Sequence, residues 1–392
     1  MPKVPSHVAI MRSALRLARR AWGLTSPNPL VGAVLVKSGR IIGRGWHHRA
    51  GGPHAEVEAI EDARRRGFSC RGATLVVTLE PCCTQGRTPP CTETIVAAGI
   101  RRVIAATQDP NPRHAGRGFE LLRRAGVSVV EGVLAGSAQD LNAPFNHWIT
   151  TQTPFVTVKA AMTLDGKIAT ATGESKWITG PKARSCAMRL RLAADAVLVG
   201  VNTVLADNPR LTIRWEDLPL SLRQGMTSAP PHKHLRRIVL DSRARTPPSA
   251  RIAASQPGCD TVIVVGPNAP IARVRRLEKH LTVWRAPLLE GQIDLTWLLH
   301  ELGRAKVTHL LVEGGGKVNA SFLLEQHAHR IAFFYAPKIL GGRTALKAVE
   351  GLGARTAADV LQLSRLRWKR LDQDLLLTAD LARKTDAPFT PA

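Results

Sequence analysis

Aromatic residues are scarce in this chain, 4% of 392 positions with a single tyrosine. A platform that holds single strands by stacking needs a supply of rings, so this one is poorly provided. Acidic residues are also few, 30 against 55 lysines and arginines, which leaves a net charge of +25. Such an excess can mark nucleic-acid binding. Here it is spread along the chain in short clusters such as Arg64-Arg65-Arg66 and Arg101-Arg102, which suits solvated faces or an anionic small substrate. Six cysteines in so long a chain build no disulfide framework. They fit a reducing cytosol with some thiols held for metal. No apolar run reaches the roughly 18–20 residues of a membrane span, and the basic N-terminus lacks the apolar core of a signal peptide. Val8, Met11, Leu15, Ala18 and Trp22 recur at helical spacing, so the chain opens on an amphipathic helix.

What is present begins with length: 392 residues predict two domains. In the first half, residues 30–36 read as a buried strand, Ser38-Gly39 as a hairpin turn and 40–46 as the return strand. The loop Ala50-Gly51-Gly52-Pro53 delivers His54 to the start of a helix over 55–66, with Glu56 in its first turn. A strand over 75–79 runs into Pro81-Cys82, and Pro89-Pro90 starts a second helix over 91–98. Strand, helix and strand follow over 103–106, 118–125 and 127–130. This alternation predicts a largely parallel sheet covered on both faces.

His54, Cys82 and Cys91 are three ligands suited to a catalytic zinc that keeps a fourth position open, and Glu56 is a spare carboxylate beside them. A zinc held there brings the pKa of a water down to about 7, and Glu56 is free to shuttle a proton to a leaving amine. Helix starts favour thiolate over thiol, and Cys91 opens one. Cys83 is the rival of Cys82; adjacent cysteines rarely reach one ion together, so Cys83 is read as packing. Singly, a buried cysteine is a small hydrophobe and a histidine at a helix start is a cap. The constellation of four carries the reading. H-x-E followed by P-C-x-x-C marks zinc nucleobase deaminases, but here eight residues, not two, separate the thiols.

Near residues 150–154 this spacing ends and a new pattern begins. Residues 154–161 read as a strand, 165–167 as a turn, and 181–193 as a basic helix with proline at its first position. Strands are expected over 196–200, 238–241, 261–265, 281–284 and 309–312, with a Pro-rich surface loop over 217–234. Glu313-Gly314-Gly315-Gly316-Lys317 is a glycine-rich turn between strand and helix, where backbone N–H groups can approach a phosphate. A tight turn without ligand reads equally well. Arg191 and Arg214 could clamp a substrate phosphate, or be solvated charges.

The stretches TSPNPLVGAV (25–34), GGPHAE (51–56) and LEPCCTQGRTPPC (79–91) closely resemble the deaminase domain of the RibD family of bifunctional riboflavin-biosynthesis enzymes. The eight-residue separation is that family's own spacing, and it disfavours tRNA- and cytidine-type deaminases. KAAMTLDGK (159–167), GESKWIT (173–179), residues 199–212 and VEGGGK (312–317) resemble the same family's reductase domain. The resemblance implies a cytidine-deaminase-like three-layer α/β domain over residues 1–150, a dihydrofolate-reductase-like α/β domain over 151–383, and a flexible tail over 384–392. It implies zinc on His54, Cys82 and Cys91, proton transfer by Glu56, and substrate contacts from Asn28 and His47. In the second half it implies NADPH on Ala161, Trp177, Thr203, Asp207, Ser242 and the 315–321 segment, Gly315, Gly316 and Lys317 included. Substrate contacts there fall on Ser175, Arg191, Leu211, Arg214 and Glu313. Thr84 stands where the family commonly has histidine.

The expected activity is zinc-dependent deamination of a phosphoribosylated diaminopyrimidine, then NADPH-dependent reduction of its ribosyl group. The expected protein is a cytoplasmic homo-oligomer with neither nucleic-acid nor membrane partner. The rivals are a polynucleotide deaminase of tRNA type with an appended binding domain, and a zinc-structured RNA-binding protein without catalysis. The intact Glu56 speaks against the last, since a structural zinc needs no such carboxylate.

Overall fold

Small residues decide how the helices of the first half meet their sheet. The structure is a computed structural model that describes residues 6–84, 89–223 and 233–382. Gly86-Arg87-Thr88 of the cysteine loop, residues 224–232 of the Pro-rich stretch and the expected tail over 384–392 lie outside the described residues. The chain divides into two compact units, Met1–Gln152 and Thr153–Ala392.

The first unit runs α1 (His7–Ala18), β1 (Gly32–Lys37), β2 (Arg40–Trp46), α2 (Ala55–Arg65), β3 (Thr74–Val77), α3 (Cys91–Ala97), β4 (Arg102–Ala105), α4 (Arg117–Arg124), β5 (Ser128–Val130), α5 (Ala135–Leu141) and α6 (Ala143–Thr151). Its five strands stand in the order β2-β1-β3-β4-β5. Successive side chains of a strand point to opposite faces. Val34, Val36, Val76 and Ile104 therefore pack under α1 and α5, while Leu35, Leu75, Val77 and Val103 pack under α2, α3 and α4. Close approach is possible because the strands carry glycine there. A Cβ on Gly32 would lie 2.1 Å from the Ala14 carbonyl oxygen of α1, and one on Gly45 2.3 Å from that of Ala55 in α2.

The expectation of a largely parallel sheet needs correction. β1 is antiparallel to both β2 and β3, and only β3, β4 and β5 run parallel. The Ser38-Gly39 hairpin turns the chain back within the sheet, so no crossover helix separates β1 from β2.

The second unit runs β6 (Phe155–Thr163), β7 (Lys167–Ala169), α7 (Pro181–Ala193), β8 (Ala196–Gly200), α8 (Val201–Asp207), α9 (Leu220–Arg223), β9 (Leu235–Leu240), β10 (Cys259–Val265), α10 (Ile271–Glu278), β11 (Thr282–Arg285), β12 (Leu288–Leu289), β13 (Gln292–Ile293), α11 (Leu295–Arg304), β14 (His309–Val312), α12 (Gly316–Leu324), β15 (Arg330–Ala336), β16 (Leu346–Lys347), β17 (Leu363–Leu371) and β18 (Asp374–Leu381). Nine strands form one sheet, β11-β10-β9-β8-β14-β6-β15-β18-β17. From β11 to β15 every pairing is parallel, and β18 and β17 close the edge as an antiparallel hairpin. The strands expected from sequence stop at residue 312; β15, β17 and β18 are additions. Parallel central strands all end at one edge of the sheet, where α/β folds place their ligands.

Candidate active sites

His54 is the N-cap residue of α2. Its carbonyl accepts the Glu58 N–H at 3.0 Å, while its imidazole makes no capping bond. The ring is thereby free to face two sulfurs: Nδ1 lies 3.3 Å from Cys91 Sγ and 3.4 Å from Cys82 Sγ. Cys91 opens α3, and its N–H points at Cys82 Sγ at 3.4 Å; the next N–H, of Thr92, bonds to the Cys82 carbonyl at 3.2 Å. The three donor atoms lie within 4.8 Å of one another, and among the described residues no other three His, Cys, Asp or Glu do so. Tetrahedral zinc, with bonds of about 2.3 Å to sulfur and about 2.0 Å to nitrogen, sets N···S edges of about 3.5 Å. The donors are spaced for it.

Their protonation fits too. Cys82 is held well below the ordinary thiol range, first by the Cys91 thiol that donates to it and then by His54. The same contact and burial push Cys91 up. The pair therefore shares one proton, which a dication displaces on binding. Glu56, 3% exposed, stands outside this triangle. Burial pushes its carboxyl up to about 7, with the Cys82 charge adding and His54 opposing.

Asn28 and His47 stand beside the triangle. The His47 ring meets that of His54 edge-on at 5.4 Å between centroids. Its Nδ1 donates to the Pro53 carbonyl at 2.9 Å, which leaves Nε2 to accept from Asn28 Nδ2 at 3.1 Å. Burial lowers its pKa, so the ring is held as neutral imidazole. Cys83 lies outside the triangle with its sulfur 3.5 Å from His114 Nδ1, and Thr84 is exposed.

Sequence reasoning passed over Glu80, two positions before Cys82. Its buried carboxylate accepts four backbone N–H groups, from Asp109 and Gly116 at 3.0 Å, Gly118 at 2.8 Å and Phe119 at 3.4 Å. It fastens the 109–119 segment, which carries His114, to the metal loop. No local spacing announces this, since the partners lie some thirty residues away.

In the second unit the candidates gather after the central parallel strands. Glu313 follows β14, Thr203 and Asp207 lie on α8 after β8, Ser242 follows β9, and Ala161 is near the end of β6. Ser175 Oγ donates to Asp207 Oδ1 at 3.4 Å. Gly315 is the N-cap of α12 and supplies no side-chain cap; the nearest atom to a Cβ built on it is Thr203 Oγ1, 4.0 Å away. An uncapped helix start with space before it suits an anionic group such as a nucleotide phosphate. Gly316 and Lys317 form its first turn. Trp177 is exposed, with the Arg184 guanidinium 4.6 Å from its ring centre.

Arg191 and Arg214 are not the open clamp that their charge suggests. Arg191 donates from Nε and Nη2 to the two Glu313 oxygens, both at 3.0 Å, and from Nη1 to the Thr212 carbonyl at 2.8 Å. Arg214 pairs with Asp217 through Nε. Leu211, between them, is buried at φ 51. Lys159, which sequence reasoning did not single out, is 3.6 Å from Glu313. A lone lysine in the apolar strand 155–163 was the available signal. Burial pushes Glu313 up, but Arg191 and Lys159 outweigh it and hold the carboxyl at about 2.

Comparison with known proteins finds matches to both halves of the chain. Residues 5–107 match the cytidine and deoxycytidylate deaminase zinc-binding region, and residues 154–377 match the RibD C-terminal domain. The riboflavin biosynthesis protein RibD of Aquifex aeolicus is 43% identical over 94% of this chain and 96% of its own length. Among solved structures, Acinetobacter baumannii RibD superposes with a TM-score of 0.81 at 33% identity, covering 96% of this chain and 99% of that one. The diaminohydroxyphosphoribosylaminopyrimidine deaminase/5-amino-6-(5-phosphoribosylamino)uracil reductase of Thermotoga maritima gives 0.80 at 35% identity, with coverage of 96% and 99%. A cytidine-deaminase-like domain is followed by a reductase domain in one bifunctional enzyme, and the chain belongs to the RibD family.

Proposed function

We propose that this chain carries out two consecutive steps of riboflavin biosynthesis. The first unit hydrolyses the 2-amino group of 2,5-diamino-6-(5-phosphoribosylamino)pyrimidin-4(3H)-one. The second reduces the ribosyl group of the product to ribityl. The observation that carries the first step is the His54–Cys82–Cys91 triangle with the buried, non-ligating Glu56 beside it. Zinc bound there supplies the Lewis acidity that makes water a nucleophile near neutral pH. Glu56 takes a proton from the water that adds to the ring carbon and gives it to the amine that leaves as ammonia. A carboxyl titrating near neutrality suits both transfers. Neutral His47 accepts from one N–H of the Asn28 amide and so fixes that amide, whose remaining N–H and Oδ1 orient the ring.

For the second step we assign Ala161, Trp177, Thr203, Asp207, Ser242 and Gly315–Gly316–Lys317 to NADPH, which supplies the hydride. Ser175, Leu211, Arg214 and the Arg191–Glu313 pair are assigned to the substrate side. Arg191 acts there mainly by holding Glu313 in place at the strand end. Among the described residues no helix is long and apolar enough to cross a membrane. A cytoplasmic homo-oligomer is the inferred setting.

Incubation with the diaminopyrimidine and NADPH tests the reading. Ammonia should appear and reduced nicotinamide should disappear in equal amounts. Deamination of oligonucleotides with neither signal from the small substrate would favour the polynucleotide deaminase instead.

A further inference from the structure

We propose that Asp165 is a positioning residue for the reductase reaction, acting through the 338–350 segment. The turn after β6 is short, with Gly166 at φ 78. Its Asp165 carboxylate accepts three donors: Thr163 Oγ1 at 2.6 Å, Leu340 N–H at 3.1 Å and Gly341 N–H at 2.7 Å. Gly341 and Gly342 both have positive φ, 68 and 79, so the backbone curls there and turns its N–H groups toward the carboxylate. The same turn binds the segment twice more. Leu164 N–H donates to the Lys338 carbonyl at 2.8 Å, and Ala348 N–H donates to the Gly166 carbonyl at 3.0 Å.

Two further sets of bonds leave the fastened segment. At one end Lys338 Nζ donates to the Trp177 carbonyl at 3.0 Å. At the other, Asn319 Nδ2 donates to the Ala348 carbonyl at 2.8 Å and Glu350 N–H to the Gly316 carbonyl at 3.0 Å. The second junction is tight: a Cβ on Gly316 would lie 2.3 Å from the Lys347 carbonyl oxygen. The segment thus spans from Trp177 to the first turn of α12, two places assigned above to NADPH. None of the three bonds on Asp165 goes to either place. Its charge-assisted bonds decide where the segment sits, and the segment decides how the two places face one another. With three donors on it the carboxyl is held at about 2, so the clasp stays charged throughout the working range of pH.

This inference rests on the NADPH reading of the second unit, and the test separates the two. Asp165→Ala, Asp165→Asn and Lys338→Met are made in the full chain. Amide hydrogen exchange is followed over 338–350 and over β8, β9 and β14, and NADPH binding is measured by fluorescence alongside steady-state kinetics. For Asp165→Ala, exchange should rise over 338–350 alone. The NADPH dissociation constant and KM should rise about tenfold while kcat stays within about twofold. Asp165→Asn, which keeps one acceptor oxygen, should fall between. Lys338→Met, which cuts only the link to Trp177, should raise the dissociation constant about threefold. Faster exchange over 338–350 with an unchanged dissociation constant in both Asp165 variants would overturn the proposal, as would unchanged exchange. If Asp165→Ala loses protection over the central strands it has unfolded, and the other two variants decide by the same readouts. A wild-type chain that binds no NADPH would overturn the cofactor reading and the clasp with it, before any variant is compared.

Discussion

A carboxylate is a poor choice for a buried position unless its charge or its proton is used, and three glutamates here, Glu56 and Glu80 buried and Glu313 nearly so, differ in which. In the proposed deamination Glu56 is used for its proton. Glu56→Gln keeps the shape and loses the transfer. Ammonia release should drop by about 10²–10⁴, while bound zinc, read by atomic absorption, and reduction of the deaminated substrate persist. Loss of zinc along with ammonia release would make Glu56 a ligand instead. Glu313 is used for its charge. Held at about 2 by Arg191 and Lys159, against about 4.3 in an unfolded chain, it binds its proton less readily when folded. Its contribution to stability is therefore complete above about pH 4.3 and is lost as pH falls toward 2. Glu313→Gln should cost the second unit about 3–5 kcal/mol at neutral pH by stranding two cations, and a denaturant titration at pH 7 and pH 3 should show the gap closing at the lower pH. Glu80 is used as an acceptor for four N–H groups. Of the three, Glu56 was legible from spacing, Glu313 was given a role only through the family resemblance and not with its partners, and Glu80 was missed. Metal chemistry demands rare residue types at short spacing, and it left His54, Glu56, Cys82 and Cys91 within one readable pattern. Glu80 and the Arg191–Glu313 pair draw on partners far along the chain, which no spacing reveals.

At the level of elements, the sequence pattern served where a helix or strand carries its own signals. Pro181 opens α7, and Ser38-Gly39 turns β1 into β2. It failed where pairing is decided by distant strands: β15, β17 and β18 take their places from the sheet they join. Packing between elements has its own marker in glycine. On Gly45 a Cβ would lie 2.3 Å from Ala55 O and 2.4 Å from Ala59 N, both backbone atoms of α2. Gly45→Ala must therefore move the helix whose first residues follow His54 and include Glu56. It should destabilise the first unit by about 1–3 kcal/mol and weaken zinc binding about tenfold, measured by thermal unfolding and by competition with a chromophoric chelator. Gly136→Ala is the control. A Cβ there meets nothing within 4 Å inside α5, and the change should stabilise by about 0.5–1 kcal/mol. Equal behaviour of the two variants would mean that the α2 contact is not tight.

For the whole molecule, the two compact units divide the chemistry as well as the chain. The three proposed zinc donors lie within Met1–Gln152, and every residue assigned to NADPH lies within Thr153–Ala392. Each unit also has hydrophobic cores of its own, under β1–β5 in the first and under the nine-stranded sheet in the second. Charge does not respect this division: a net +25 exceeds what a phosphorylated substrate and a dinucleotide require, and most of it must face solvent. Separate cores and separate ligands mean that removing one cofactor leaves the other half's chemistry in place. A chelator that strips zinc should abolish ammonia release from the diaminopyrimidine and leave oxidation of NADPH by the deaminated substrate unchanged. Calorimetry should then show one transition falling in temperature, because a ligand that binds only the folded unit stabilises that unit alone, while the second transition holds its position until NADPH is added and raises it. If chelation instead ended both activities, the zinc unit would have to support the reductase site, and the division of labour drawn from the two ligand sets would be wrong.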